Sequence, residues 1–339
     1  MEHISLSHSA SALTELPPCV LAFYPLNNRF LVVGTYKLEE DGSRHGALDI
    51  YDCADGKLNF YNTIASTDSS ILDLKFSPHD SSILASAHST GKISLWRLSS
   101  GTENDIDVEL ISAYNVADSS DILVLSICFS PLDPTLVAVT LSSGEWRLCS
   151  ISTELSRATV TIQSSFLAHS LEAWTSAFSS NGSLIFSGGD DSVLSAYDLR
   201  AGIQVWQDRR SHAAGVTSIL PFRGNENQIW TGSYDEKLRV WDLRKPYSKG
   251  TVVNELTLGG GVWRLTHHPR VDENLILSCC MHGGARVISS SNGISEKSVL
   301  ASITEGHESM VYGGDWSGDG AYIATCSFYD RKLNLWSYR

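Results

Sequence analysis

Three sets of residues in this 339-residue chain carry groups able to do chemistry. Residues 278–284, SCCMHGG, place two adjacent cysteines two residues before His282. Taken alone, the stretch fits half a metal site, a redox pair, part of a catalytic centre, or a buried strand running into a tight turn. His169, Ser187 and Asp191 form one histidine–hydroxyl–carboxylate set, and His212, Thr231 and Asp235 a second. Such a set can activate a hydroxyl nucleophile. Catalysis needs only one copy, however, and repetition points to a structural hydrogen-bond network. Cys279 and Cys280 are adjacent, so in a strand they face opposite sides and cannot share one metal. Small buried residues are the simpler reading. No G-x-S-x-G or H-E-x-x-H stretch offers another site, and the glycines 259–261 lead into a strand rather than a phosphate-binding helix. No Cys/His set has zinc-ligand spacing.

The elements that hold these residues repeat. Tyr51, Trp96, Trp146, Tyr197, Trp241, Ile288 and Trp336 end similar strand patterns at intervals of 44 to 51 residues. Upstream of each lies a stretch such as LDLKFSP, SICFSP, TSAFSS or GGDWSG, then a short strand such as ILASAHS or YIATCSF. Short β-rich segments joined by Gly, Asp, Asn and Ser turns, seven times over, describe a β-propeller filling residues 1–339 as one domain. SGGDDSVLSAYDLR and TGSYDEKLRVWDLR, each with an upstream histidine, resemble WD repeats. The chain reaches Trp336 one strand short of a complete last blade. Residues 3–8 are expected to supply that strand and close the ring, removing two free sheet edges. The expected fold class is therefore all-β, a seven-bladed WD-repeat propeller closed by its N-terminal strand.

Composition narrows the partners. A net charge of −13 disfavours nucleic acid, which needs concentrated Lys and Arg, and favours cationic ligands or basic partner surfaces. There is no run of 18 apolar residues, so no membrane span is expected. Seven cysteines without regular spacing suggest a reducing compartment, and the cytoplasm is the expected location.

In a repeat protein, function belongs where the repeats differ. Six residues before the strand aromatic stand His45, Thr90, Thr140, Asp191, Asp235, His282 and Asp330, preceded in later repeats by Asp190, Tyr234 and Tyr329. Four residues before the FSP-like position of the innermost strand stand Cys19, Leu72, Leu125, Trp174, Val216, Trp263 and Tyr312. That position lies near one mouth of the central channel. Glu172, Arg264 and Asp73 should neighbour it. Large aromatics there can simply fill space between blades. Together, Trp174, Trp263, Tyr312, Tyr234 and Tyr329 with Glu172, Asp190, Asp235 and Asp330 form an expected substrate-binding site. A quaternary ammonium suits it, because cation–π contacts contribute about 2 kcal/mol when desolvated.

VGTYKL, SSILDLKF, AHSLEAW, SGGDD, TGSYDE, GGVWRLTHHP, CMHGG, VYGGDW and ATCSFYD together closely resemble the diphthine methyltransferase family, more accurately diphthine methylesterases. The resemblance spans nearly the whole chain and is densest after His169; residues 100–165 contribute little to it. It implies a role in diphthamide synthesis: hydrolysis of a methyl ester on over-methylated diphthine of translation elongation factor 2. That substrate carries a trimethylammonium. The resemblance assigns no catalytic residue. On chemistry alone, His282 is the expected general base and Arg264 the expected oxyanion donor, with Gly283 and Gly284 letting substrate approach the backbone. No metal or organic cofactor is expected, since ester hydrolysis needs only a base and an oxyanion donor. The competing reading is a non-catalytic scaffold, or a substrate receptor of a cullin-type ubiquitin ligase using Arg200 and Arg244 of YDLR and WDLR.

Overall fold

A computed structural model describes residues 5–66, 69–102, 104–154, 157–244, 250–290 and 298–338. They form seven antiparallel sheets, each a blade of a propeller, with two single-turn 3-10 segments as the only helical elements among the described residues. No helix is long and apolar enough to cross a membrane. The innermost strands, in blade order, are Pro18–Phe23, Ile71–Phe76, Val124–Phe129, Ala173–Phe178, Val216–Pro221, Arg264–His267 and Val311–Trp316.

The ring closes at its seventh blade. Leu6–Leu13 pairs antiparallel with Lys332–Tyr338, setting Leu6 opposite Tyr338 and Leu13 opposite Lys332. The closing strand thus runs further along the chain than expected; residues 3 and 4 lie outside the described residues. Hydrophobic packing closes the same circle. Seven buried clusters each join one blade to the next, from Val20 with Ile71 through Trp230 with Ile276 to Leu31 with Leu333. Each fully buried Leu, Ile or Val contributes roughly 1.5–3 kcal/mol, so parting a blade from its neighbours would forfeit several such contributions.

Polar networks pin the strands inside the blades. His212 Nε2 and the Trp241 indole both meet Thr231 Oγ1 at 2.9 Å. His307 Nε2 and Trp336 Nε1 meet Thr325 Oγ1 at 2.7 and 2.9 Å. His88 Nε2 and Trp96 Nε1 converge on Ser86 Oγ, each at 2.8 Å. In the fourth blade His169 bridges Ser187 Oγ and Asp191 Oδ1, each at 2.9 Å. A histidine bonded to a strand hydroxyl in four blades, with a Trp on the same hydroxyl in three of them, is scaffold.

Two positions shift by comparison with the sequence reading. In the third blade Cys149 pairs with Val137 as Trp96 pairs with Leu84, so Cys149, not Trp146, occupies the repeat position. Trp146 lies three residues earlier and stacks on Phe166 at 4.6 Å. Counting six residues back from Cys149 gives Ser143 as the turn residue, not Thr140. In the fifth blade the bulge beside the channel mouth falls between Val216 and Ser218, so Thr217 takes the position assigned to Val216. Val216 is fully buried between blades. The order LPF where other blades read FSP displaced the count by one.

Candidate active site at the channel mouth

The innermost strands begin with a β-bulge, seen in the first five blades and the seventh, whose extra residue turns toward the mouth. Trp174 and Tyr312 sit at such bulges, and Trp263 directly precedes the sixth blade's inner strand. Their rings meet. Trp174 lies 5.5 Å from Trp263 and 6.2 Å from Tyr234, Tyr234 lies 5.9 Å from Trp263, and Trp263 lies 5.1 Å from Tyr312. The arc continues through Phe328, 5.7 Å from Tyr312, to Tyr36 and to the 73% exposed Tyr329. Phe328 and Tyr36 were not singled out from the sequence, although ATCSFYD and VGTYKL contain them.

Carboxylates border the arc. The Trp174 indole donates to Asp190 Oδ1 at 2.9 Å, and the Asp190 amide donates to the Glu172 carbonyl at 2.9 Å. Burial first, and then Tyr312, Asp190 and Glu172, push the Tyr234 phenol above its ordinary pKa. The negative charge at this rim comes from Asp190 and Glu172 themselves.

Asp235 does not join it. Its carboxylate is engaged by Arg239 at 2.8 Å, both side chains almost fully buried, and accepts from the Ala213 and Lys237 amides. Burial raises its pKa, but these partners outweigh burial and the net shift is downward. It is a turn-forming residue, like Asp191. Asp330 accepts from the Glu308 amide at 2.7 Å and lines a surface groove of about 550 Å³ together with His282, His307, Ser309, Met310 and Tyr329.

Beneath the rim lies a cavity of about 170 Å³ lined by Trp174, Trp263, Lys75, Asp73, Arg264 and hydroxyl-bearing residues such as Ser126 and Thr217. Arg264 crosses the channel: Nη1 meets Asp73 Oδ1 of the second blade at 2.7 Å, and Nε donates to the Tyr312 carbonyl at 3.3 Å. Asp73 Oδ2 accepts from the Ile127 amide at 3.1 Å. Burial alone would raise the Asp73 pKa; Lys75 and Arg264 overcome it and hold the carboxyl below its usual range. Lys75 Nζ stands 3.7 Å from Asp73, and 43% of its side chain is exposed to the channel. Enclosure by protein lowers its pKa, against the pull of Asp73. Asp315, turned onto the Phe23 amide at 2.9 Å, is pushed up to about 6 by burial. Lys75 and Asp315 escaped the sequence reading; a charged residue inside an otherwise apolar inner strand such as LDLKF was the available signal.

The SCCMHGG stretch lies beside this mouth. Cys279 ends the strand Leu275–Cys279 and its sulfur faces Gly314 of the seventh blade, while Cys280 packs into the cluster shared with the fifth. Burial raises both thiols, Cys280 to about 11, so neither is a nucleophile at neutral pH. The Cys279 carbonyl accepts from the Trp263 amide at 2.9 Å, which ties the stretch to the rim. Met281 holds a left-handed φ of 45°, and its carbonyl accepts from the Val311 amide at 3.0 Å. A bulky residue in that conformation costs about 1–2 kcal/mol; it delivers His282 outward, 59% exposed and 3.7 Å from Glu236. His282 and Arg264 line separate hollows, the groove and the channel.

Gly283 and Gly284 do not face a ligand. A β-carbon on Gly283 would stand 2.7 Å from the Gly259 carbonyl, and one on Gly284 2.0 Å from the Ile303 carbonyl. Gly260 is pressed against the same turn: a β-carbon there would stand 2.0 Å from the Cys280 carbonyl. The GGG and HGG motifs are therefore two backbones in contact, which is why both need glycine.

Seven blades, bulged inner strands and repeated His–hydroxyl–Trp networks define a WD-repeat propeller. The family model for the WD domain, G-beta repeat, matches residues 161–198 and 298–337. A chain in the crystal structure of the mitotic checkpoint complex superposes with a TM-score of 0.72 over 98% of this chain and 95% of its own, at 19% identity, a likeness of fold alone. Diphthine methyltransferase of Saccharomyces cerevisiae is 36% identical over 99% of this chain and 100% of its own length. The Schizosaccharomyces pombe protein of that name is also 36% identical, over 99% of both chains, and the human one 30% over 74% of this chain and 56% of its own. The chain belongs to the diphthine methyltransferase family.

Proposed function

We propose that this protein acts in diphthamide synthesis as a methylesterase, hydrolysing the methyl ester of methylated diphthine on translation elongation factor 2. Water adds to the ester carbonyl, the C–OCH3 bond breaks, and the products are the free acid and methanol. The observation that carries the reading is the aromatic arc of Trp174, Tyr234, Trp263 and Tyr312 bordered by Asp190 and Glu172. Aromatic faces under negative potential attract a quaternary ammonium and do little for a neutral or anionic group.

In this reading the trimethylammonium rests on the rim. His282, exposed in the adjoining groove, takes the proton from attacking water, and Tyr329 and Asp330 line the path between groove and rim. A positioned base contributes about 10²–10⁴-fold. Arg264, held by Asp73 and the Tyr312 carbonyl in the channel beneath the rim rather than in the groove of His282, acts on the developing oxyanion through its positive charge and not as a direct donor. No metal or organic cofactor enters these steps, so activity is expected to survive exhaustive chelation.

The test is direct. Purified protein is incubated with elongation factor 2 bearing methylated diphthine, and the modified peptide is followed by mass spectrometry, with methanol release measured in parallel. Loss of one ester methyl with matching methanol supports the reading. An unchanged peptide mass at stoichiometric enzyme overturns it in favour of a non-catalytic role.

A further inference from the structure

The innermost strands run in the same direction, so residues one and three places beyond the mouth position lie successively deeper. Arg264 and Asp73 occupy the first of these layers, and Lys75 and Asp315 the second. The mouth above is rimmed by Asp190 and Glu172, with Trp174 and Trp263 as its walls. The cavity below is lined by two cations, Lys75 and Arg264, but only one carboxylate, Asp73. Arg264 has taken Asp73 at 2.7 Å. Lys75 approaches the same carboxylate only to 3.7 Å, beyond hydrogen-bond distance, and points into the channel. Asp315, in the layer of Lys75, feels the charge of both cations but is engaged by the Phe23 amide and does not line the cavity.

The groups that line the channel therefore differ along its axis, carboxylates at the aromatic mouth and, at the floor, a lysine that no lining carboxylate meets at hydrogen-bond distance. We propose that the cavity is a betaine-binding site, selective for a quaternary ammonium joined to a carboxylate, in which the ammonium sits among the rings and the carboxylate meets Lys75 and Arg264. The inference rests on the methylesterase reading and names what that reading leaves open, the charge state of the ligand the site prefers. An ester carries no charge at its carbonyl end, whereas the acid formed by hydrolysis does. The site then holds product more tightly than substrate, and the same cationic floor favours the oxyanion passing between them. Free small betaines should compete with the modified elongation factor.

Calorimetric titration of the full chain with three probes tests this: glycine betaine, its neutral amide, and tetramethylammonium. Glycine betaine is expected to bind about 10-fold or more tightly than either of the others, a charge-assisted contact separating them. Lys75→Met should lower betaine affinity to that of the amide and leave tetramethylammonium binding unchanged. Equal binding of betaine and amide by the wild-type protein overturns the dipolar site while leaving the aromatic cage intact. So does a Lys75→Met variant, folded by thermal melting, that weakens all three probes alike. If no probe binds, tetramethylammonium included, the cage itself falls, and with it the support for the esterase reading. Because the wild-type comparison needs no mutant, a misfolded variant does not decide the outcome.

Discussion

The two halves of the channel mouth share a backbone and differ in chemistry. In the first three blades the mouth position holds Cys19, Leu72 and Leu125; in the last four it holds Trp174, Thr217, Trp263 and Tyr312, at a bulge in every blade but the sixth. On the first side, Cys19 donates its thiol hydrogen to the Ile71 carbonyl at 2.7 Å and is buried. On the other, four rings touch in sequence and Asp190 holds an indole. A bulge presents whatever residue occupies it. The scaffold thus fixes a ring of seven positions, and contiguous blades convert part of that ring into a site. A second contrast has the same form. His88, His212 and His307 are locked inside blades by hydroxyl partners, while His282 is turned out to solvent.

The largest expected effect separates scaffold from mouth by pH. Burial lowers His88, His212, His267 and His307 to about 4, from 6.5 in an unfolded chain. As pH falls below 6.5 the unfolded state takes up these protons first, so stability is intact above 6.5 and drains as pH approaches 4. Asp315 works the other way: its carboxyl, held at about 6 when folded, takes up a proton before the unfolded chain does. Four histidines against one carboxylate give a loss of up to about 4 kcal/mol per pH unit near pH 5. Urea unfolding midpoints between pH 7 and pH 4 should fall steeply across this window. Midpoints that stay flat to pH 4.5 would show that the buried histidines do not govern acid stability.

The next effect sets the two kinds of histidine against each other. His282→Ala removes an exposed side chain, so the melting temperature should barely change, while ester hydrolysis should slow by at least about 10²-fold. His212→Ala leaves Thr231 and Trp241 with a broken network and should destabilise the fold by roughly 1–3 kcal/mol, with the rate per folded molecule near wild type. The reverse pattern, a stable fold without His212 and full turnover without His282, would collapse the distinction.

Much of this was legible in the sequence because repetition is a one-dimensional signal. The seven units, the closing strand and the His212–Thr231–Trp241 type of network all follow from residues recurring at fixed spacing. The site was only partly legible. Trp174, Trp263 and Tyr312 stood out as departures from the repeat, yet Phe328, Tyr36 and Lys75 joined them only through the folded ring. Asp73 and Arg264, expected as neighbours of the same position, pair across the channel although they are 191 residues apart. Asp235 reads the same as a rim carboxylate until Arg239 is seen beside it. Trp146 is an aromatic of the right type three residues out of register, and it stands in for Cys149 when only spacing is available.

The smallest effect addresses the asymmetry of the mouth itself. Trp263 touches Trp174, Tyr234 and Tyr312, and its amide is fixed by the Cys279 carbonyl whatever its side chain. Trp263→Leu therefore keeps the backbone of the rim and removes its central aromatic face. A desolvated cation–π contact contributes about 2 kcal/mol and an exposed one less, so affinity for tetramethylammonium should fall roughly 5- to 30-fold. Leu125→Ala, at the same position of the third blade, should leave that affinity within about 2-fold, since an aliphatic side chain offers the cation no aromatic face. Calorimetry on both variants reads the difference. If Leu125→Ala weakens binding as much as Trp263→Leu, the ligand is held by general enclosure in the channel rather than by the aromatic half of the mouth.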